Sequence, residues 1–272
     1  MTPRARIGIS GWRYASWRGD FYPRGLRQAD ELAYAASLLD SIEINGSFYS
    51  LQRPTSWHRW RAETPDDFVF AVKGPRFVTH LKRLRDPREA VANFFASGVL
   101  ALGPKLGPIV WQTPADLPYD PAVVDPFLDL LPRSTSAARD LARDRHERMA
   151  GREVLEIEAD APLRHAFEPR HPSFDSPEFA SAVAARGIAI VYGESAGTWP
   201  EIDRTTDGFG YARLHGDTEL YASGYSPAAL DRWADWVREH LAAGRDAYVY
   251  FDNDARGHAP HDAVALRERL AG

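Results

Sequence analysis

Short apolar runs alternate with amphipathic segments along the whole of this 272-residue chain, and that alternation limits the fold more than any other feature. Strand-like runs occupy residues 6–10, 41–45, 68–73, 106–112, the start of 165–174, 188–192, 211–215 and 246–251. Helical spacing of apolar residues runs through 30–39, 54–62, 88–97, two pieces within 121–150, then 177–186, 227–241 and 261–270. Strands joined through helices lie parallel, because the crossover returns the chain to the same end of the sheet. Eight such units over about 250 residues are the pattern of a closed (β/α)8 barrel. The sequence therefore predicts an α/β protein, a single TIM-barrel domain over residues 1–272, with a doubly wound open sheet as the alternative.

A barrel makes a sharper expectation available, because successive strand residues alternate between the lumen and the surrounding helices. Ile7, Ile9, Ile42, Ile44, Phe70, Val72, Ile109, Trp111, Phe167, Leu214, Val249 and Phe251 share one parity and are expected to pack on helices. The opposite parity then faces inward: Gly8 and Ser10; Glu43 and Asn45; Ala71 and Lys73; Val110 and Gln112; Ala166, Glu168 and Arg170; Arg213 and His215; Tyr250 and Asp252. Along each strand these inward residues end in a polar or ionisable group at the carboxyl end, the face on which barrels build their sites. Charges buried there must pair with one another or await a ligand, because an unpartnered buried charge costs several kcal/mol.

Composition removes several classes of function. There is no cysteine, so disulfide frameworks, thiolate metal sites and cysteine nucleophiles are all excluded. Thirty-three basic against thirty-eight acidic side chains give a formal charge of −5, which supplies no global attraction to nucleic acid or membrane. The first residues, MTPRARIGISGW, lack the apolar core of a signal peptide, so a cytoplasmic protein without membrane association is expected. No GxSxG elbow, P-loop or dinucleotide fingerprint is present.

The blocks GISGWRYASWRGDFYP, SIEINGSFY, FVFAVKGPRFVTHLKRL, LGPIVWQTP, FEPRHPSF, YARLHGDTELY and YFDNDARGHAPHDA together resemble the YecE-like family, domain of unknown function 72, over nearly the whole chain. The resemblance implies a TIM barrel and leaves the activity open. Phe174 stands where the family pattern usually has tryptophan, which keeps an apolar contact and loses the indole N–H.

The leading expectation for function is an enzyme, a hydrolase or isomerase, acting on an anionic or polyhydroxylated small molecule that carries a sugar or phosphate. Glu168 and Glu43 would divide acid and base roles, with His215 in proton transfer. Lys73, Arg170, Arg213, Asn45, Gln112, Trp12, Tyr14, Tyr221, Asp252 and Asn253 are the expected substrate contacts. The basic loop after the third strand, with Arg76, His80, Lys82 and Arg83, suits phosphate and supports an alternative: an endonuclease IV-like phosphodiester-cleaving or nucleic-acid-binding barrel. A non-catalytic ligand-binding barrel is the third reading. No cofactor is expected. A divalent metal would have to be drawn from Glu43, Glu168, His171, His215, Asp217 and Asp252, among cations that repel it. Oligomeric state is not legible in the chain.

Overall fold

In the computed structural model, which describes residues 2–204, 206 and 208–271, the strand-like runs form one closed sheet of eight parallel strands. These are β1 (Ala5–Ser10), β2 (Ser41–Ile44), β3 (Val69–Lys73), β4 (Leu106–Gln112), β5 (His165–Glu168), β6 (Ala189–Glu194), β7 (Gly210–Leu214) and β8 (Ala247–Phe251). Each pairs with the next, and β8 returns to β1 with Ile7 opposite Val249. The architecture is the TIM barrel expected from the alternation, and the open-sheet alternative fails because β1 and β8 are bonded.

Around the sheet lie α1 (Glu31–Leu38), α2 (Gly46–Tyr49), α3 (Pro54–Ala62), α4 (Arg88–Ala96), α5 (Pro121–Leu130), α6 (Thr135–Leu141), α7 (Pro177–Ala184), α8 (Pro227–Ala242) and α9 (His258–Ala271). Three of them begin with the same local chemistry. Asp120, Ser176 and Ser226 each accept a backbone N–H of the first turn, and a proline follows at once. The side chain satisfies an orphan donor, while proline fixes φ where no N–H is needed.

All twelve residues assigned to the outer parity are buried in the layer between strands and helices. The lumen holds a separate cluster: small Ala71, Val110, Ala166 and Ala189 on β3 to β6, and bulky Tyr211, Tyr248 and Tyr250 on β7 and β8. Small residues on one side make room for aromatic rings from the other. At Gly8 the barrel wall closes so tightly that a Cβ would overlap the Ser41 carbonyl oxygen.

Two expectations need correction. The alternation is not complete, since residues 195–204, 206, 208 and 209 between β6 and β7 contain no helix. The charged stretch 142–150 does not continue as a helix after α6 but forms two short turns, Ala142–Asp144 and Glu147–Met149. One i,i+3 pair remains, Arg143 with Asp140 at 3.7 Å, while Asp144 pairs with Arg88 at 2.7 Å and Arg145 with Glu153 at 2.5 Å. Among the described residues no helix is long and apolar enough to cross a membrane.

Candidate active site at the barrel mouth

Above the tyrosine layer, the inward residues of β2, β5, β7 and the end of β8 meet in a buried charge cluster. Arg213 is its centre and is wholly buried. Its Nη2 donates to Glu43 Oε1 at 2.9 Å and to Asp252 Oδ2 at 2.8 Å, and its Nη1 donates to Glu168 Oε2 at 2.9 Å. One guanidinium therefore holds three carboxylates from three different strand ends, which its planar fork of donors allows and an ammonium could not match.

The remaining acceptors are also engaged. Glu43 takes the Tyr211 hydroxyl at 2.6 Å and Ser10 Oγ at 3.1 Å. Glu168 takes Gln112 Nε2 on both oxygens at 2.8 Å and Arg170 at 3.1 and 3.2 Å. His215, also fully buried, sits beside the cluster with Nδ1 3.0 Å from Asp252 Oδ2, at an angle that makes no hydrogen bond.

Over this floor opens a cavity of about 720 Å³, lined by Tyr14, Asn45, Phe48, Tyr49, Lys73, Arg76, His80, Gln112, Arg170, Tyr221, Asp252 and Asp254. Its cations differ in kind. Arg170 is tied to Glu168, and its guanidinium carbon stands over the Trp199 ring, 3.5 Å from the centroid. Lys73 is only 8% exposed, rests with Nζ 4.4 Å from the centre of the Phe48 ring, and forms no ion pair among the described residues.

The electrostatics follow from these contacts. Burial works against ionisation of Glu168, yet Arg213 and Arg170 hold its carboxyl well below the usual range. For Asp252 burial is likewise overridden by Arg213, and the carboxyl falls to about 2. Burial, reinforced by Arg213, pulls the Lys73 ammonium from 10.5 down to about 8. His80 is driven down to about 4 by burial and then by Lys73, Arg170 and Arg76, so it is neutral at pH 7.

Of the residues expected at the site, Tyr14, Asn45, Lys73, Gln112, Arg170, Tyr221 and Asp252 line the cavity, with Arg76 and His80 from the basic loop. Glu43, Arg213 and His215 are 0% exposed and Glu168 is 3% exposed; all four form the floor beneath it. Trp12 lies outside, packed edge-on against Trp60 in a neighbouring pocket. Asn253 is turned away, its amide given to Asp262 and the Ser223 carbonyl. Arg83 is bound to Asp116, and Lys82 does not reach the cavity.

Of the six metal candidates Glu43, Glu168, Asp252 and His215 do meet, but around Arg213, and among the described residues no three His, Asp or Glu side chains are placed to share an ion. Arg213 fills the position between the carboxylates, His171 bonds Ser173, and Asp217 bonds Ser226. Two contributors escaped the sequence reading. Tyr211 has the inward parity of Arg213 two residues on, a signal that was available. Trp199 arrives from the helix-free segment 195–204, where no periodicity announces it.

The family description "Protein of unknown function DUF72" matches residues 6–272. The chain belongs to the DUF72 family. Among curated relatives, the UPF0759 protein YecE of Escherichia coli K12 is 31% identical over 127 residues, 46% of this chain and 44% of that one, so the match spans less than half of YecE. YunF of Bacillus subtilis is 25% identical over 97% of this chain and 94% of its own length. Solved DUF72 structures share the fold: one from Thermotoga maritima has a TM-score of 0.78 at 24% identity over 99% of this chain and all of its own. Another, from Enterococcus faecalis, has a TM-score of 0.71 at 16% identity over 99% and 98%.

Proposed function

We propose that the barrel mouth is the active site of an enzyme that takes an anionic, sugar- or phosphate-containing small molecule and moves a proton on it, as a hydrolase or isomerase would. The observation that carries this reading is Lys73: a buried cation in the cavity wall, over the Phe48 ring and without an ion pair among the described residues, whose ammonium is pulled down to about 8 by burial. A general acid or base works best when its pKa lies near the working pH, and buried lysines are tuned to that range. Arg170, braced by Trp199, and Arg76 are the anion contacts beside it.

This reading moves proton transfer from the pair Glu43 and Glu168 to Lys73. The Glu168 carboxyl, held well below its usual range, is a weak proton acceptor, and every oxygen of the two glutamates is already bonded. In the proposal they are positioning residues: Glu168 orients Arg170 and Gln112, and Glu43 anchors Arg213.

The test is a turnover screen over phosphorylated and carboxylated small molecules, combined with titration of inorganic phosphate. Lys73→Met should abolish turnover, and phosphate should bind more weakly to it and, in the wild type, above pH 8. A variant that keeps wild-type turnover and phosphate affinity overturns the assignment. The phosphodiester alternative retains Arg76 and His80 but loses Arg83 to Asp116. It requires oligonucleotide binding that falls steeply with salt.

A further inference from the structure

The large hydrophobic side chains left exposed among the described residues are Tyr49 at 71%, Leu51 at 38%, Phe77 at 51% and Leu81 at 61%, and all of them line one groove of about 400 Å³. Scattered exposed hydrophobics are ordinary, but their collection in one concavity marks a binding surface. The groove is not isolated: Phe48, Tyr49 and Arg76 form walls of both it and the mouth cavity. Lys73 is joined to this shared wall, because its ammonium lies over the Phe48 ring, 4.4 Å from the centroid. Positive charge from Arg76 and Lys73 thus sits where groove and cavity share a wall, while Leu51, Phe77 and Leu81 line the groove alone.

Resting on the anion-binding reading above, we propose that the groove and the mouth are two halves of one site, and that the substrate is an anionic amphiphile. Its charged head meets Lys73, Arg76 and Arg170, and its alkyl or acyl chain lies along Phe77 and Leu81. Size agrees with this, since pockets for small organic ligands run from roughly 300 to 1,000 Å³. A protein partner or a second copy of the chain would need a wider apolar face than these few residues supply, and would have no use for the continuity with Lys73.

The probes are inorganic phosphate, the series from butyl to octyl phosphate below their micelle concentrations, and 1-hexanol, titrated calorimetrically into the full chain. Each added methylene should tighten binding roughly two- to fourfold, so hexyl phosphate should bind at least tenfold more tightly than inorganic phosphate. Phe77→Ser and Leu81→Ser, both at exposed positions and neutral, should erase the chain-length dependence while inorganic phosphate still binds through Lys73, Arg76 and Arg170. Lys73→Met should weaken every phosphate-bearing probe.

If alkyl phosphates bind no better than phosphate, or the groove variants keep the chain-length dependence, the amphiphile inference fails while the anion site stands. If no phosphate-bearing probe binds, both fail. Binding of 1-hexanol as tight as hexyl phosphate also overturns it, because the head would then contribute nothing. Sedimentation of wild type and Leu81→Ser supplies the last arm: a dimer that the variant dissociates would make a second copy the occupant of the groove.

Discussion

Replacing Lys73 by methionine is the perturbation that most directly examines the electrostatic account of the mouth. Methionine keeps an unbranched stem that can lie on the Phe48 ring and removes only the buried ammonium. The drop of the lysine from 10.5 to about 8 corresponds to roughly 3 kcal/mol by which the folded protein disfavours the charged form. At pH 7 the lysine is charged in both folded and unfolded chains, so the wild type carries that cost. Above 10.5 it is neutral in both, and the cost is gone. Between about 8 and 10.5 the unfolded chain binds the proton and the folded one does not, so this group's contribution to stability rises with pH. Lys73→Met should accordingly be about 2–3 kcal/mol more stable than wild type at pH 7, and the difference should close as pH rises through that window. Urea unfolding of both proteins at pH 7, 8, 9 and 10.5 measures it. A variant that is less stable at pH 7, or a difference that does not change with pH, would refute the claim that Lys73 is an unpaired, desolvated cation.

Arg213→Met leaves Glu43, Glu168 and Asp252 without their shared guanidinium. Breaking even one buried pair costs about 3–5 kcal/mol, a large share of a total stability of about 5–15 kcal/mol, so urea unfolding at pH 7 should find the variant destabilised by at least about 3 kcal/mol; a variant within about 1 kcal/mol of wild type would contradict the cluster's role. Asp252, lowered from 3.8 to about 2, contributes about 2 kcal/mol that is present above pH 4 and lost as pH falls toward 2. Acid titration of Asp252→Asn should show a shallower loss of stability over that range. Gly8→Ala puts a methyl group into the Ser41 carbonyl and should cost about 3 kcal/mol or more, read as a fall in thermal midpoint. Trp199→Ala removes the ring under Arg170 and should weaken phosphate binding roughly two- to thirtyfold with little change in stability, which a binding titration alongside thermal melting would separate.

What the sequence determined by itself is the wall of the barrel and the direction in which each strand end points. Period-two alternation is a local property of an extended backbone, so Ile7 and Ile9 could be sent to the helices, and Glu43, Glu168 and Arg213 to the lumen, without knowing any distance. The proline-led helix starts at Pro121, Pro177 and Pro227 are local in the same sense. The roles of the charges are not local. Closure of the barrel and the register of its strands decided that Arg213 takes all three carboxylates, that Arg170 is held by Glu168 and Trp199, and that Lys73 makes no ion pair among the described residues. The same geometry drew Asn253 toward Asp262 and Arg83 toward Asp116, although their positions in the chain resemble those of residues that do reach the cavity. Which inward charge is satisfied and which stays available depends on separations of a few ångströms between residues far apart in sequence, and Coulomb energy in a buried site is steep over that range.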